Sequence, residues 1–92
     1  MAHTTKDKEK LLQRARRIRG QVEALEKALT NGEECSAVLQ LIAACRGAIN
    51  GLMAEVLEGH IRSHVLSPRV KPNSAQGQAA EELIELVNRY LK

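Results

Sequence analysis

The sequence predicts an all-α protein: a three-helix protomer with a long central helix. Three observations carry that prediction. Apolar residues recur three and four apart in three separate stretches, and nowhere alternate as in a half-buried strand. Asn31-Gly32 and the segment holding Pro68 and Pro72 punctuate the chain twice, leaving three helical stretches. The apolar residues are almost all aliphatic, with no Trp, no Phe and one Tyr among 92 residues, which suits helix packing.

The first helix is expected over about residues 5–30. Thr4 or Thr5 is placed to cap it, with Asp7 and Glu9 near its positive end. Leu11, Ala15, Ile18, Val22, Leu25 and Leu29 follow one another at spacings of 4 and 3 and form an apolar seam. Asn31-Gly32 stops it, glycine being suited to the left-handed position. The second helix is expected over about residues 33–66. Leu39, Ile42, Ile49, Met53 and Leu57 line one stripe, and Val38, Leu41, Cys45, Leu52 and Val56 widen it on one side. Its length far exceeds the usual range of about 8–20 residues. One partner from the same chain cannot cover it. Residues 67–78 hold both prolines, Asn73, Ser74 and Gly77 and read as a loop. A third helix follows at about 78–91, with Ala80, Leu83, Ile84, Val87 and Leu91 as its apolar stripe.

A chain of 92 residues makes one small domain, 1–92, with a modest core of its own. Oligomerisation is therefore an expected stabiliser. No apolar run approaches the roughly 20 residues that span a bilayer, and the charged N-terminus lacks a signal-peptide core. The expected location is the cytoplasm, with no membrane partner. In that reducing compartment the two cysteines are expected as thiols.

Cys35, His60 and His64 share one stripe of the long helix. At about 100° per residue, His60 falls about 20° to one side of Cys35 and His64 about 20° to the other. Along the axis, Cys35 and His60 are separated by roughly 37 Å at 1.5 Å per residue. Metal–donor distances are about 2.0–2.3 Å, so one unbroken helix cannot bring the three together. Two copies running antiparallel about a two-fold axis can, twice per dimer. His60 and His64 are an i, i+4 pair whose rings project from one face, a geometry that chelates divalent metal. Exposed surface histidines are the bland alternative, and Cys35 on the same stripe argues against it. His3 is a further candidate ligand, together with the chain's amino terminus. A solvated tail is the alternative there, and the sequence leaves both open. Cys45 lies about 80° from Cys35 among apolar neighbours and reads as a core thiol. Met53 reads as packing.

Charge is uneven. Within residues 1–20, seven basic side chains face two acidic ones, a local charge of +5 in a chain of net +3. Such a segment points to a polyanion, with nucleic acid the leading candidate. Lys10, Arg14 and Arg17 share one flank beside the apolar seam and are the candidate phosphate contacts. There are no interleaved aromatics and no helix-turn-helix pair, so recognition would rest on backbone contacts and duplex shape. No nucleophile–base pair, phosphate loop or acid/base carboxylate pair supports an enzyme.

The stretch RARRIRGQVEALEKAL, Cys35 in EECSAVLQLIAACRGAINGLMAEVLEGHI, and His64 beyond it resemble the CsoR/RcnR/FrmR family of bacterial repressors. The match covers nearly the whole chain and is weakest over residues 67–80. The resemblance implies an antiparallel dimer, a tetramer made of two dimers, and release of double-stranded operator DNA when an effector binds. It also sorts effectors. Copper(I) sensors carry a second Cys where this chain has His64, and imidazole disfavours that soft ion. Formaldehyde sensors share Cys35 but typically carry Pro where this chain has Ala2 and an acid where it has His64. Nickel/cobalt sensors resemble this chain at His3, Cys35, His60 and His64. The implied effector is Ni(II) or Co(II), with Zn(II) chemically possible, and the implied target a metal efflux gene. A formaldehyde sensor using Cys35 and the terminal amine is the alternative. A metal-binding bundle without DNA function is the alternative of another class, and the basic first helix argues against it. Cys45 departs from the usual aliphatic residue.

Overall fold

The structure, a computed structural model, describes residues 7–91. The N-terminal six residues, with the expected caps Thr4 and Thr5 and the candidate ligand His3, lie outside them. Three α-helices follow one another: α1 (Lys8–Thr30), α2 (Cys35–His60) and α3 (Ala75–Leu91). Among the described residues there is no strand.

Helix α1 ends as its sequence dictates. Gly32 takes φ 66°, and its N–H donates to Leu29 O at 3.2 Å while Glu33 N–H reaches Ala28 O at 3.0 Å. These are the two bonds of a Schellman turn, which satisfies carbonyls the helix leaves open. The chain then re-enters helix at once. Glu34, extended at ψ 147°, is the N-cap of α2, and its carbonyl accepts from Ala37 at 3.0 Å and Val38 at 3.1 Å. Cys35 is thereby the first residue of α2.

At its far end α2 does not stop but widens. Residues Ile61–Val65 form a π-helical turn, closed by Leu66 N–H to Ile61 O at 2.9 Å. A regular helix to residue 65 or 66 was the expectation, and the wider turn is the difference. Such turns sit preferentially at functional sites, and this one carries His64. Leu66 leaves the turn extended and packs on Ile61, Ala80 and Ile84, the tightest apolar cluster.

Helix α3 begins at Ala75, earlier than the glycine and proline content suggested. Ser74 explains the start. Its Oγ accepts from Gly77 N–H at 3.1 Å, as an N-cap does. Gly77 is buried in the first turn because a Cβ there would overlap the carbonyl oxygens of Lys71 and Pro72. Glycine here serves close approach and not a turn.

Helix α1 packs along α2, and α3 packs at the far end of α2. The Cα trace measures 56 × 25 × 12 Å. Among the described residues no large side chain is fully buried, and the buried residues of α1 and α2 are small: Ala28, Cys45, Gly51 and Ala54. The α1 seam divides. Leu11, Ile18 and Leu25 are half-buried, whereas Ala15, Val22 and Leu29 are exposed. On α2, Leu39, Ile42, Ile49 and Met53 form an open row, each 45–59% exposed. These four lie on the stripe that carries Cys35, His60 and His64. By length and composition alone the helix Cys35–Val65 could cross a membrane, contrary to the expectation from apolar runs. Its apolarity is interrupted on the opposite face, where Glu55 and Glu58 lie.

Candidate metal centre and nucleic-acid interface

Cys35 stands exposed at the first turn of α2, with a free thiol. His60 closes the same helix, and His64 lies in the π-helical turn beyond it. The helix is continuous from Cys35 to Val65. The thiol and the imidazoles are therefore held roughly 37 Å apart within a protomer. No group of three or more His, Cys, Asp or Glu gathers in metal-binding geometry among the described residues. Among the described residues, α2 thus carries a thiol at one end, two imidazoles beyond the other, and no complete donor set at either.

The histidine half-site is compact. The rings of His60 and His64 are 5.2 Å apart between centroids and inclined at 44°. At that separation both can turn a nitrogen towards one ion at about 2.0–2.1 Å. The donor set, two imidazoles and a thiolate, fits a borderline divalent metal.

Side chains that the sequence reading did not single out brace this end. Arg62 donates to both oxygens of Glu81, at 2.7 and 3.1 Å, and through Nε to Glu58 at 3.3 Å. Asn88 Nδ2 donates to the other Glu58 oxygen at 3.3 Å. The fork tethers the π-helical turn to α3. Hydrogen bonding to Glu81 raises the Arg62 pKa, and the same pair lowers that of Glu81. Only Arg62–Glu58, an i, i+4 pair, could have been found from spacing. Cys45, expected in the core, is a buried free thiol.

On α1, Lys10 and Arg14 do not stand free. Lys10 Nζ lies 2.7 Å from Glu55 Oε1, and Arg14 Nε lies 2.6 Å from Glu55 Oε2. Hydrogen bonding to Glu55 raises the Lys10 pKa. Arg17, a turn further on, is exposed and makes no ion pair among the described residues. Arg19 has a loose pair with Glu23 at 3.9 Å. Glu55 is the residue that sequence reading missed here. Its signal was an acid set between Leu52 and Val56 on the helix facing the basic flank.

Comparison with known proteins places this architecture. A family model described as a metal-sensitive transcriptional repressor matches residues 7–89. An uncharacterised protein from the bioA 5′ region of Serratia marcescens is 55% identical over 92 residues, covering all of both chains. The transcriptional repressor RcnR of Citrobacter koseri is 47% identical over 94 aligned positions, again covering all of both. Among solved structures, a glutamate-to-histidine variant of the formaldehyde-responsive regulator FrmR from Salmonella enterica serovar Typhimurium superposes with a TM-score of 0.65. It is 48% identical, and the match covers 95% of this chain and 96% of that one. The chain belongs to the CsoR/RcnR/FrmR family of metal-sensitive transcriptional repressors.

Proposed function

We propose that this chain is a nickel/cobalt-responsive repressor that holds operator DNA when effector-free and releases it when metal binds. The observation that carries the reading is the placement of the donors. Cys35 and the His60/His64 pair sit at opposite ends of one helix face, and the apolar row between them is open. Two copies packed antiparallel along that row bury it and bring Cys35 of one protomer to His60 and His64 of the other. Two such dimers form the tetramer. His3 completes or tunes the site. The bound ion supplies a cross-link between chains. Lys10, Arg14 and Arg17 supply the phosphate contacts on the opposite helix, and the protein acts in the cytoplasm on a metal efflux gene. The 47% identity to an RcnR repressor supports this reading.

A second reading, a formaldehyde sensor, has its own support in the FrmR neighbour and the exposed Cys35 thiol. His64 argues for metal, since an imidazole adds a donor that an aldehyde adduct does not need. One titration separates the two. Ni(II), Co(II), Zn(II), Cu(I) and formaldehyde are added in turn to the protein–DNA complex. Release by Ni(II) or Co(II) is expected. Release by formaldehyde, with neither metal effective, would replace this reading by the second.

A further inference from the structure

The basic flank of α1 is expected to meet phosphate, yet two of its three cations already hold an anion. Both oxygens of the Glu55 carboxylate are taken, one by Lys10 and one by Arg14, at 2.7 and 2.6 Å. Both are close ion pairs, and the Lys10 contact is also a hydrogen bond. Lys10 and Arg14 are one helical turn apart, so a single carboxylate on α2 spans both. Arg14 also lies over Gly51, close enough that a Cβ there would touch its Nη1 at 3.4 Å. Gly51 and Glu55 are again one turn apart. Together they make a seat on α2 into which the Arg14 side chain folds. Arg17 has no such seat. Beside the pair, a polar cleft of about 360 Å³ opens between α1 and α2, so ions reach the contact from solvent.

We propose that Glu55 is an internal competitor for DNA phosphate, occupying Lys10 and Arg14 until a phosphate displaces it. The proposal rests on the reading of Lys10 and Arg14 as phosphate contacts. A carboxylate and a phosphate present the same thing to these cations, an anionic oxygen pair. Binding DNA through Lys10 and Arg14 thus exchanges one anion for another, and the contact with Glu55 is lost. Glu55 lies five residues before His60. The competitor is therefore carried by the helix that bears the imidazoles, about 7.5 Å along its axis from His60.

The test compares the effector-free full chain with Glu55→Gln, by fluorescence anisotropy on a labelled mixed-sequence DNA duplex over a range of salt. Glu55→Gln is expected to bind about two- to fivefold more tightly, the range a partly exposed ion pair supports. Its log–log salt slope should steepen by about one unit, because one negative charge no longer cancels a positive one. In a Lys10→Gln/Arg14→Gln background the same change should leave affinity almost unmoved. Equal or weaker binding by Glu55→Gln in the otherwise native chain would overturn the proposal. So would equal tightening in both backgrounds, which would mean bulk charge alone. Glu55→Asp keeps the charge but shortens the reach, and should tighten binding by a smaller factor; it serves if Glu55→Gln does not fold. DNA binding absent from the native chain and from Glu55→Gln alike would overturn the DNA-binding reading, and this one with it.

Discussion

The two ends of α2 carry the two proposed half-sites, and they are positioned by different means. At the thiol end the backbone does the positioning. A Schellman turn at Gly32 stops α1, and Glu34 caps α2 through its carbonyl, so Cys35 is fixed as the first helical residue. At the imidazole end side chains from another helix do it. The π-helical turn rests on Ala80 and Ile84 of α3 and is pinned by the Arg62–Glu81 fork. One end thus depends on four consecutive residues. The other depends on α3 being folded and docked. Changes in α3 should therefore harm the histidine half-site and leave the thiol half-site alone.

The largest effect treats both ends alike. Cys35→Ala or His64→Ala should each abolish metal-driven DNA release, normally about a 5- to 150-fold effect for such coupling, while basal DNA binding survives. For Cys35→Ala, loss of the Co(II)–thiolate charge-transfer band is the check. Retention of the band in Cys35→Ala and its loss in Cys45→Ala would point to the other thiol.

Glycine substitutions sharpen the contrast. In Gly77→Ala the new methyl meets two backbone carbonyls that have nowhere to go. Overpacking of this kind costs about 1–3 kcal/mol, and α3 should loosen. Thermal melts should show the loss, and metal affinity should fall with it. Gly32→Ala strains the left-handed turn by about 1 kcal/mol. It acts on the thiol end, so exchange protection in α3 should be unchanged. Equal loss of α3 protection in both variants would erase the distinction between the ends.

The smallest effect is a matter of pH. Glu81 is held below its ordinary value of 4.5 by the Arg62 guanidinium. Its charged form is favoured on folding, so its contribution is present above that ordinary value. The contribution fades as pH falls through the lowered one. Glu81→Gln lacks it throughout. Native and Glu81→Gln proteins should therefore differ slightly in melting temperature near neutrality and converge in acid.

Much of this was legible in the sequence because it depends on neighbours along the chain. Asn31-Gly32 encodes the end of α1, and the 4, 3 spacing encodes the seam along it. The shared stripe of Cys35, His60 and His64 follows from helical periodicity alone. What was not legible depends on distant residues. The seat for Arg14 joins α1 to Glu55 on α2, and the brace on Arg62 joins it to Glu81 on α3. No spacing rule joins such positions. Ser74 and Gly77 misled for another reason. Both are loop-forming residues by type, yet one caps α3 and the other is buried in its first turn. The widened turn at Ile61–Val65 follows no spacing rule either, and Leu66 just beyond it packs on Ile61, Ala80 and Ile84.

The central claim is that each metal centre takes its thiol from one chain and its imidazoles from another. Subunit mixing tests it directly. Cys35→Ala protein and His60→Ala/His64→Ala protein are each loaded with Co(II), and neither should show the thiolate band. The two are then unfolded, mixed in equal amounts and refolded together. In an antiparallel dimer, half of the products are hybrids, and each hybrid has one intact centre out of two. About a quarter of the native band should return. A mixture that stays without the band, although hybrid dimers are present, would contradict the claim.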